Sequence, residues 1–217
     1  MRINADWRQP ARVAADALRW TASPMQGVER KMLERDGAEV ARATSLVRYA
    51  PLSSFCAHVH ALGEEFIVLD GVFSDESGDF PVGTYVRNPP GSAHTPSSAP
   101  GCVIFVKLRY MHSADTQQQV ERIDPREPIA PGVRRQLLLD RTDDHVEALD
   151  LAPGAAWTAE RREGEELFVI AGSISDSTGS HAARTWLRAP AGSTAIKRIA
   201  GPQGARLWRK TRYLAQH

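Results

Sequence analysis

The sequence predicts an all-β protein made of two small barrels in tandem. Three observations carry this: the chain repeats itself, its apolar runs are short and cut by turn residues, and helical periodicity is scarce. The repeat decides the architecture, because a unit duplicated within one chain brings its fold twice. Gly63-Glu64-Glu65-Phe66-Ile67-Val68-Leu69-Asp70-Gly71 returns as Gly164-Glu165-Glu166-Leu167-Phe168-Val169-Ile170-Ala171-Gly172, a shift of 101 positions from 63 to 164. The same shift carries Asp75 onto Asp176, Gly78 onto Gly179, Arg87 onto Arg188, Pro89 onto Pro190 and Gly91-Ser92 onto Gly192-Ser193. With small insertions or deletions, Gly27-Val28-Glu29-Arg30 pairs with Gly132-Val133-Arg134-Arg135, and residues 101–107 pair with 204–210. A first barrel is therefore expected at residues 1–112 and a second at 132–217. The stretch 113–131, with Pro125, Pro128 and Pro131 among mostly polar residues, reads as a linker.

Within each copy, apolar runs such as 66–69 and 103–108 are interrupted roughly every 8 to 12 residues by Gly, Pro or Asp-Ser turns, as strands are. Small antiparallel barrels and double-sheet jelly rolls both fit, since they remove the exposed sheet edges a short repeat would leave. Residues 10–20 place Val13, Ala14, Ala17 and Leu18 at helix-like spacing, and read either as a short helix or as a helical turn beside a strand.

Composition narrows the function classes. Of 217 residues 42% are apolar and 24% charged, ordinary for a folded globular chain. Twenty-seven basic against 26 acidic side chains leave a net charge of +1 with no block of like charges, so neither nucleic acid nor an anionic membrane is expected as a partner. Small molecules or protein are. Two cysteines, Cys56 and Cys102, are too few for a disulfide framework and lack the paired spacing of a structural zinc site. With no apolar signal-peptide core at the start and no run near the ~20 apolar residues of a membrane span, a cytoplasmic location is expected.

One constellation carries chemistry. His58 and His60 sit at i and i+2 before the turn at Gly63, so on a strand both imidazoles face one side. Glu64 opens the next strand and His94 follows Pro89-Pro90-Gly91-Ser92. Three neutral nitrogens and a carboxylate suit one divalent transition metal, Zn or Fe foremost, with Mn, Ni, Co or Cu also fitting. Glu65 is one residue out of phase and points to the other face. In the second copy the 101-residue shift puts Ala159 at His58, Arg161 at His60, Glu165 at Glu64 and Ala195 at His94, so no metal is expected there. Arg161 is expected to pair with Glu165 in the metal's place. Cys56, in phase with His58, is read as a small buried residue rather than a ligand, and Cys102 as core. His112, His145, His181 and His217 lack partners at ligand spacing and read as surface residues. Tyr85 and Arg87, echoed by Trp186 and Arg188 in the metal-free copy, read as structural.

His58-x-His60-x3-Glu64-x6-Gly71 and Gly83-x5-Pro89-x4-His94 resemble the two sequence motifs of the cupin superfamily. More narrowly, Gly27-Val28-Glu29-Arg30-Lys31, Gly71-Val72-Phe73-Ser74-Asp75-Glu76 and Gly101-Cys102-Val103-Ile104-Phe105-Val106-Lys107-Leu108 resemble the C-terminal cupin-like domain of the anti-sigma factor ChrR, strongly over about residues 15–110. The resemblance implies a pair of double-stranded β-helix barrels, a bicupin, with His58, His60, Glu64 and His94 as metal ligands. Sigma binding in that family belongs to a helical N-terminal domain with its own zinc site, for which the 26 residues before Gly27 hold neither Cys nor His. Two functions follow as expectations: an Fe(II)-type dioxygenase acting on a small carbonyl compound such as a β-diketone, or a non-enzymatic zinc-binding sensor or anti-sigma-like regulatory module. Pairing into a homodimer through exchange of residues 2–7 is a further expectation.

Overall fold

The computed structural model describes residues 1–216, and His217 lies outside the described residues. Its regular structure is nearly all β; the two 3-10 turns, Ala15–Ala17 and Tyr213–Gln216, are the helical elements among the described residues. The chain forms two compact units, one of Met1–Ala5 with Leu18–Ile123, the other of Asp6–Ala17 with the residues from Asp124 onward.

In the first unit the sheet runs in the order Arg2–Ile3, Val28–Gly37, Ala41–Tyr49, Cys102–Leu108, Glu64–Asp75, Thr84–Asn88 and Gln119–Arg122. The twelve-residue strand Glu64–Asp75 is the hinge of the barrel. Its first half pairs with Thr84–Asn88 and its second half with Gly78–Pro81. The bend falls at Gly71, which has φ +68°, and a Cβ there would lie 1.9 Å from the Gly101 carbonyl oxygen. Gly172 repeats this against Gly204 at 2.1 Å, so the glycine closing each nonapeptide is demanded by a close backbone approach as well as by a left-handed φ. Alternation sends Phe66 and Val68 into a core shared with Val86, Ile104 and Val106, and a register shift before Asp70 brings Phe73, otherwise out of phase, into the same core.

The second unit repeats the order: Glu127–Ala130, Val133–Asp140, His145–Leu151, Ile196–Thr211, Glu165–Asp176, Thr185–Ala189 and Ala11–Ala14. Its core gathers Leu149, Leu151, Leu167, Val169, Ile174 and Leu207.

The outermost strands correct one expectation and decide between two readings of residues 10–20. Residues 113–131 are more than a linker, because they supply Gln119–Arg122 to the edge of Thr84–Asn88 and Glu127–Ala130 to the edge of Val133–Asp140. In the second unit the corresponding edge, Thr185–Ala189, is paired by Ala11–Ala14 from near the chain start. Each edge would otherwise present a row of unmet N–H and C=O groups, which is the physical reason these segments are extended. Residues 10–20 thus begin as a strand, with a 3-10 turn after it. Arg2–Ile3, within the segment expected to exchange between copies, pairs with Asp36 and Arg35 of its own chain. No helix of the described residues is long and apolar enough to cross a membrane.

Candidate metal centre

The three histidines arrive by two routes. His58–Val59 and Ala93–His94 form a two-stranded ribbon in which His58 stands directly opposite His94. His60 lies just past the end of that strand, held by its backbone: its N–H donates to the Ser92 carbonyl, and its own carbonyl accepts from Gly63 and Gly91. Alternation along a continuous strand is therefore not what aligns His58 and His60; the turns anchored at Gly63 and Gly91 are.

The result is a cluster. One nitrogen from each of His58, His60 and His94 lies within 4.8 Å of the other two, and the ring centroids are 4.6 to 5.0 Å apart. Glu64 Oε2 is 3.5 Å from His60 Nε2 and 3.7 Å from His94 Nε2, and accepts a 3.3 Å hydrogen bond from Asn88 Nδ2. His60, Glu64 and His94 are buried, whereas His58 is exposed, so the cluster opens to one side.

Proton positions follow from the partners. His94 Nδ1 lies 3.2 Å from Asp75 Oδ2 and His58 Nδ1 3.3 Å from the Cys56 carbonyl oxygen. Both partners only accept, so each Nδ1 carries a hydrogen, and the other ring nitrogen, Nε2, is the one left to face the cluster. His60 Nε2 is buried with no hydrogen-bond partner among the described residues. A buried orphan nitrogen is costly unless something else satisfies it, and a metal ion does so. Burial, reinforced by His94 and His58, lowers the His60 pKa to about 3, and burial also lowers that of His94. Burial raises Glu64 to about 7, opposed by Asn88 and reinforced by Asp75. Neutral imidazoles beside a carboxyl group starved of countercharge are a donor set that fits a divalent cation.

Sequence reasoning missed Asn88, which donates to Glu64, and two further contributors. Asp75 orients His94, although its match to Asp176 marked it only as part of the repeat. Phe73 lies 5.7 Å from the His94 ring and 5.7 Å from Tyr49, lining one flank with aromatic surface. Glu65, as expected, is elsewhere, accepting 2.8 Å from the Tyr85 hydroxyl, and Arg87 pairs with Asp115. Cys102 is buried in the core, but Cys56 is exposed, contrary to expectation, because it precedes the short ribbon in a stretch with no sheet over it.

The second unit shows what stands where the first has its histidines. Register sets Ile196 rather than Ala195 opposite Ala159, as His94 is set opposite His58, so two imidazoles give way to buried apolar side chains. Arg161 does not pair with Glu165; its Nε donates 2.8 Å to the Thr194 carbonyl. Arg198 takes Glu165 instead, through two hydrogen bonds of 2.9 and 2.5 Å, with Arg209 Nε adding one of 2.7 Å. Arg198 lies on the strand that crosses the barrel wall, 33 residues away, where local spacing could not reveal it. Burial pushes Glu165 upward, yet these guanidiniums outweigh it and hold the carboxyl below its ordinary value.

Of the histidines read as surface residues, His112 is exposed. His181 is fully buried, bonded to Asp176 at 3.2 Å in a position where the first repeat has Phe80, and His145 is half-buried between Asp140 and Glu147.

A protein-family model described as the ChrR Cupin-like domain matches residues 8–112 and again 118–215. No curated protein matches the sequence significantly. Among solved structures, the chain is similar to a bacterial pirin, YhhW, in complex with nickel(II) from Escherichia coli, at 12% identity and TM-score 0.71, covering 94% of this chain and 99% of that one. It is similar to a candidate dioxygenase of Nostoc punctiforme at 12% identity and TM-score 0.72, covering 96% and 84%. An oxalate decarboxylase variant of Bacillus subtilis, at 12% identity and TM-score 0.65, covers 94% and 77%. At such identity these likenesses show the fold alone.

Proposed function

Because the chain belongs to the ChrR cupin-like family through both of its barrels, we propose that the first barrel holds one divalent transition metal on His58, His60, His94 and Glu64 and acts as a mononuclear dioxygenase on a small carbonyl compound such as a β-diketone. The observation that carries this reading is the convergence of three imidazoles within 4.8 Å beside a buried carboxyl group, with one imidazole exposed. Iron(II) bound there would supply Lewis acidity and redox chemistry with oxygen. The protein's own part is positioning. Asp75 fixes the His94 ring, Asn88 fixes Glu64, and Phe73 with Tyr49 keeps water from one flank, while the exposed His58 side leaves an approach for a substrate. The candidate dioxygenase among the structural neighbours agrees with this chemistry.

The second reading is a non-catalytic zinc sensor. Its support is Glu64, near enough to two imidazoles to complete a closed four-donor set. Metal analysis of protein purified without added metal, followed by oxygen uptake with a panel of β-dicarbonyls, separates the two. Iron with turnover is expected; zinc, with no oxygen consumed after iron reconstitution, would sink the enzyme and leave the sensor.

A further inference from the structure

The second barrel carries an open pocket of about 480 Å³ beside Arg161 and Glu165, the counterparts of His60 and Glu64. Its walls include Arg12, Arg161, Glu165, Asp176, Leu187 and Arg198, all within the second unit. That volume is in the range of small-molecule sites. The acidic groups are already neutralised. Glu165 is clamped by Arg198 and Arg209, and Asp176 Oδ2 is 3.5 Å from Arg198 Nε while its Oδ1 is 3.2 Å from His181 Nε2.

Positive charge is left over. The Arg161 guanidinium uses only Nε, on the Thr194 carbonyl, and its two terminal nitrogens make no hydrogen bond or ion pair among the described residues. Burial and the neighbouring Arg198 charge both disfavour its cation, with Glu165 opposing them. Arg12 is aimed by His181 and Ser180: its Nε donates 3.1 Å to His181 Nδ1 and one terminal nitrogen 3.0 Å to the Ser180 carbonyl, leaving the other unbonded among the described residues. Arg198, 1% exposed, is spent on the two carboxylates, its terminal nitrogens on Glu165 and its Nε beside Asp176. Arg188 also borders it, but the carbonyls of Asp6 and Gln9 occupy that guanidinium.

We infer that the second barrel is a binding site for a small organic carboxylate, received by the free fork of Arg161 and the fixed guanidinium of Arg12. A carboxylate suits the planar fork in a two-point contact. Leu187, Ala11 and Ala189 on the walls suit an organic body, which inorganic phosphate lacks. Loss of the histidines thus converted a cation site into an anion site: the glutamate kept from the first copy now anchors the arginines around the cavity.

Calorimetric titration of the full chain with acetate, succinate, benzoate and inorganic phosphate, at constant ionic strength, tests this. At least one carboxylate is expected to bind, and Arg161→Gln to weaken it by about tenfold or more, the equivalent of one charge-assisted contact. Arg161→Lys keeps the charge without the fork and is expected to fall between. All three proteins carry the same first barrel, so a carboxylate held there would bind them equally. Equal affinity in wild type and Arg161→Gln, no binding by any carboxylate, or phosphate binding as tightly as the best carboxylate would each overturn the inference.

Discussion

Glu64 and Glu165 hold the same place in two copies of one barrel and meet opposite electrostatic surroundings. Glu64 faces a cluster of three imidazoles, and burial raises its pKa to about 7; Glu165 faces two guanidiniums and is held below its ordinary value. The first carboxyl group lacks a countercharge that only something from outside the chain can bring. The second has its countercharge built in. One scaffold therefore yields a site that asks for a cation and a site that no longer does, and the difference lies in four or five side chains rather than in the sheet.

The strongest test of that contrast is to remove the internal cation. Arg198→Met should cost about 3–5 kcal/mol, because breaking a buried pair leaves part of a carboxylate charge uncompensated. Chemical denaturation reads it, and a loss below about 1 kcal/mol would mean that Arg209 alone suffices.

The next effect is a pH dependence of opposite sign in the two barrels. In chelator-treated protein the folded-state pKa of Glu64 is raised from 4.5 to about 7, so its contribution to stability is full below pH 4.5 and is lost as the pH rises through about 7. The loss is on the order of 3 kcal/mol. It should disappear in Glu64→Gln and when a divalent cation is restored. Glu165, with its pKa lowered, contributes stability that is present above pH 4.5 and lost as the pH falls. Urea midpoints measured from about pH 2 to 8 with and without metal would show both slopes; a metal-independent profile would refute the contrast.

Smaller effects sharpen it. Asp75→Asn should weaken metal binding by about 10- to 100-fold, since the carboxylate sets the His94 tautomer, whereas His94→Ala should abolish most of it. Competition with a chromophoric chelator measures both. Cys56→Ser should change neither metal content nor stability by more than about 0.5 kcal/mol, as an exposed residue outside the ligand set. A larger change in metal content would bring Cys56 into the site.

Much of this was legible in the residues themselves. The nonapeptide and its return 101 positions later exposed the duplication, and the glycines that close both copies proved to be sites of tight backbone contact. The metal cluster was legible because His58 and His60 are neighbours and His94 is reached through a turn rich in Pro and Gly. Asp75 was visible only as a repeated letter, since a residue that orients a ligand carries no spacing of its own. Arg198 was out of reach because the pairing of Ala156–Ala159 with the strand beginning at Ile196 slips by one residue relative to an ungapped shift.

The sequence alone determined the repeat, the strand punctuation and the identity of the three histidines that converge, because turns and short spacings act over a few residues. The tertiary structure alone decided which arginine pairs with Glu165, that His181 is buried, and which segments close the sheet edges. Those outcomes depend on register between strands far apart in the chain, where a shift of one residue sends a side chain to the opposite face.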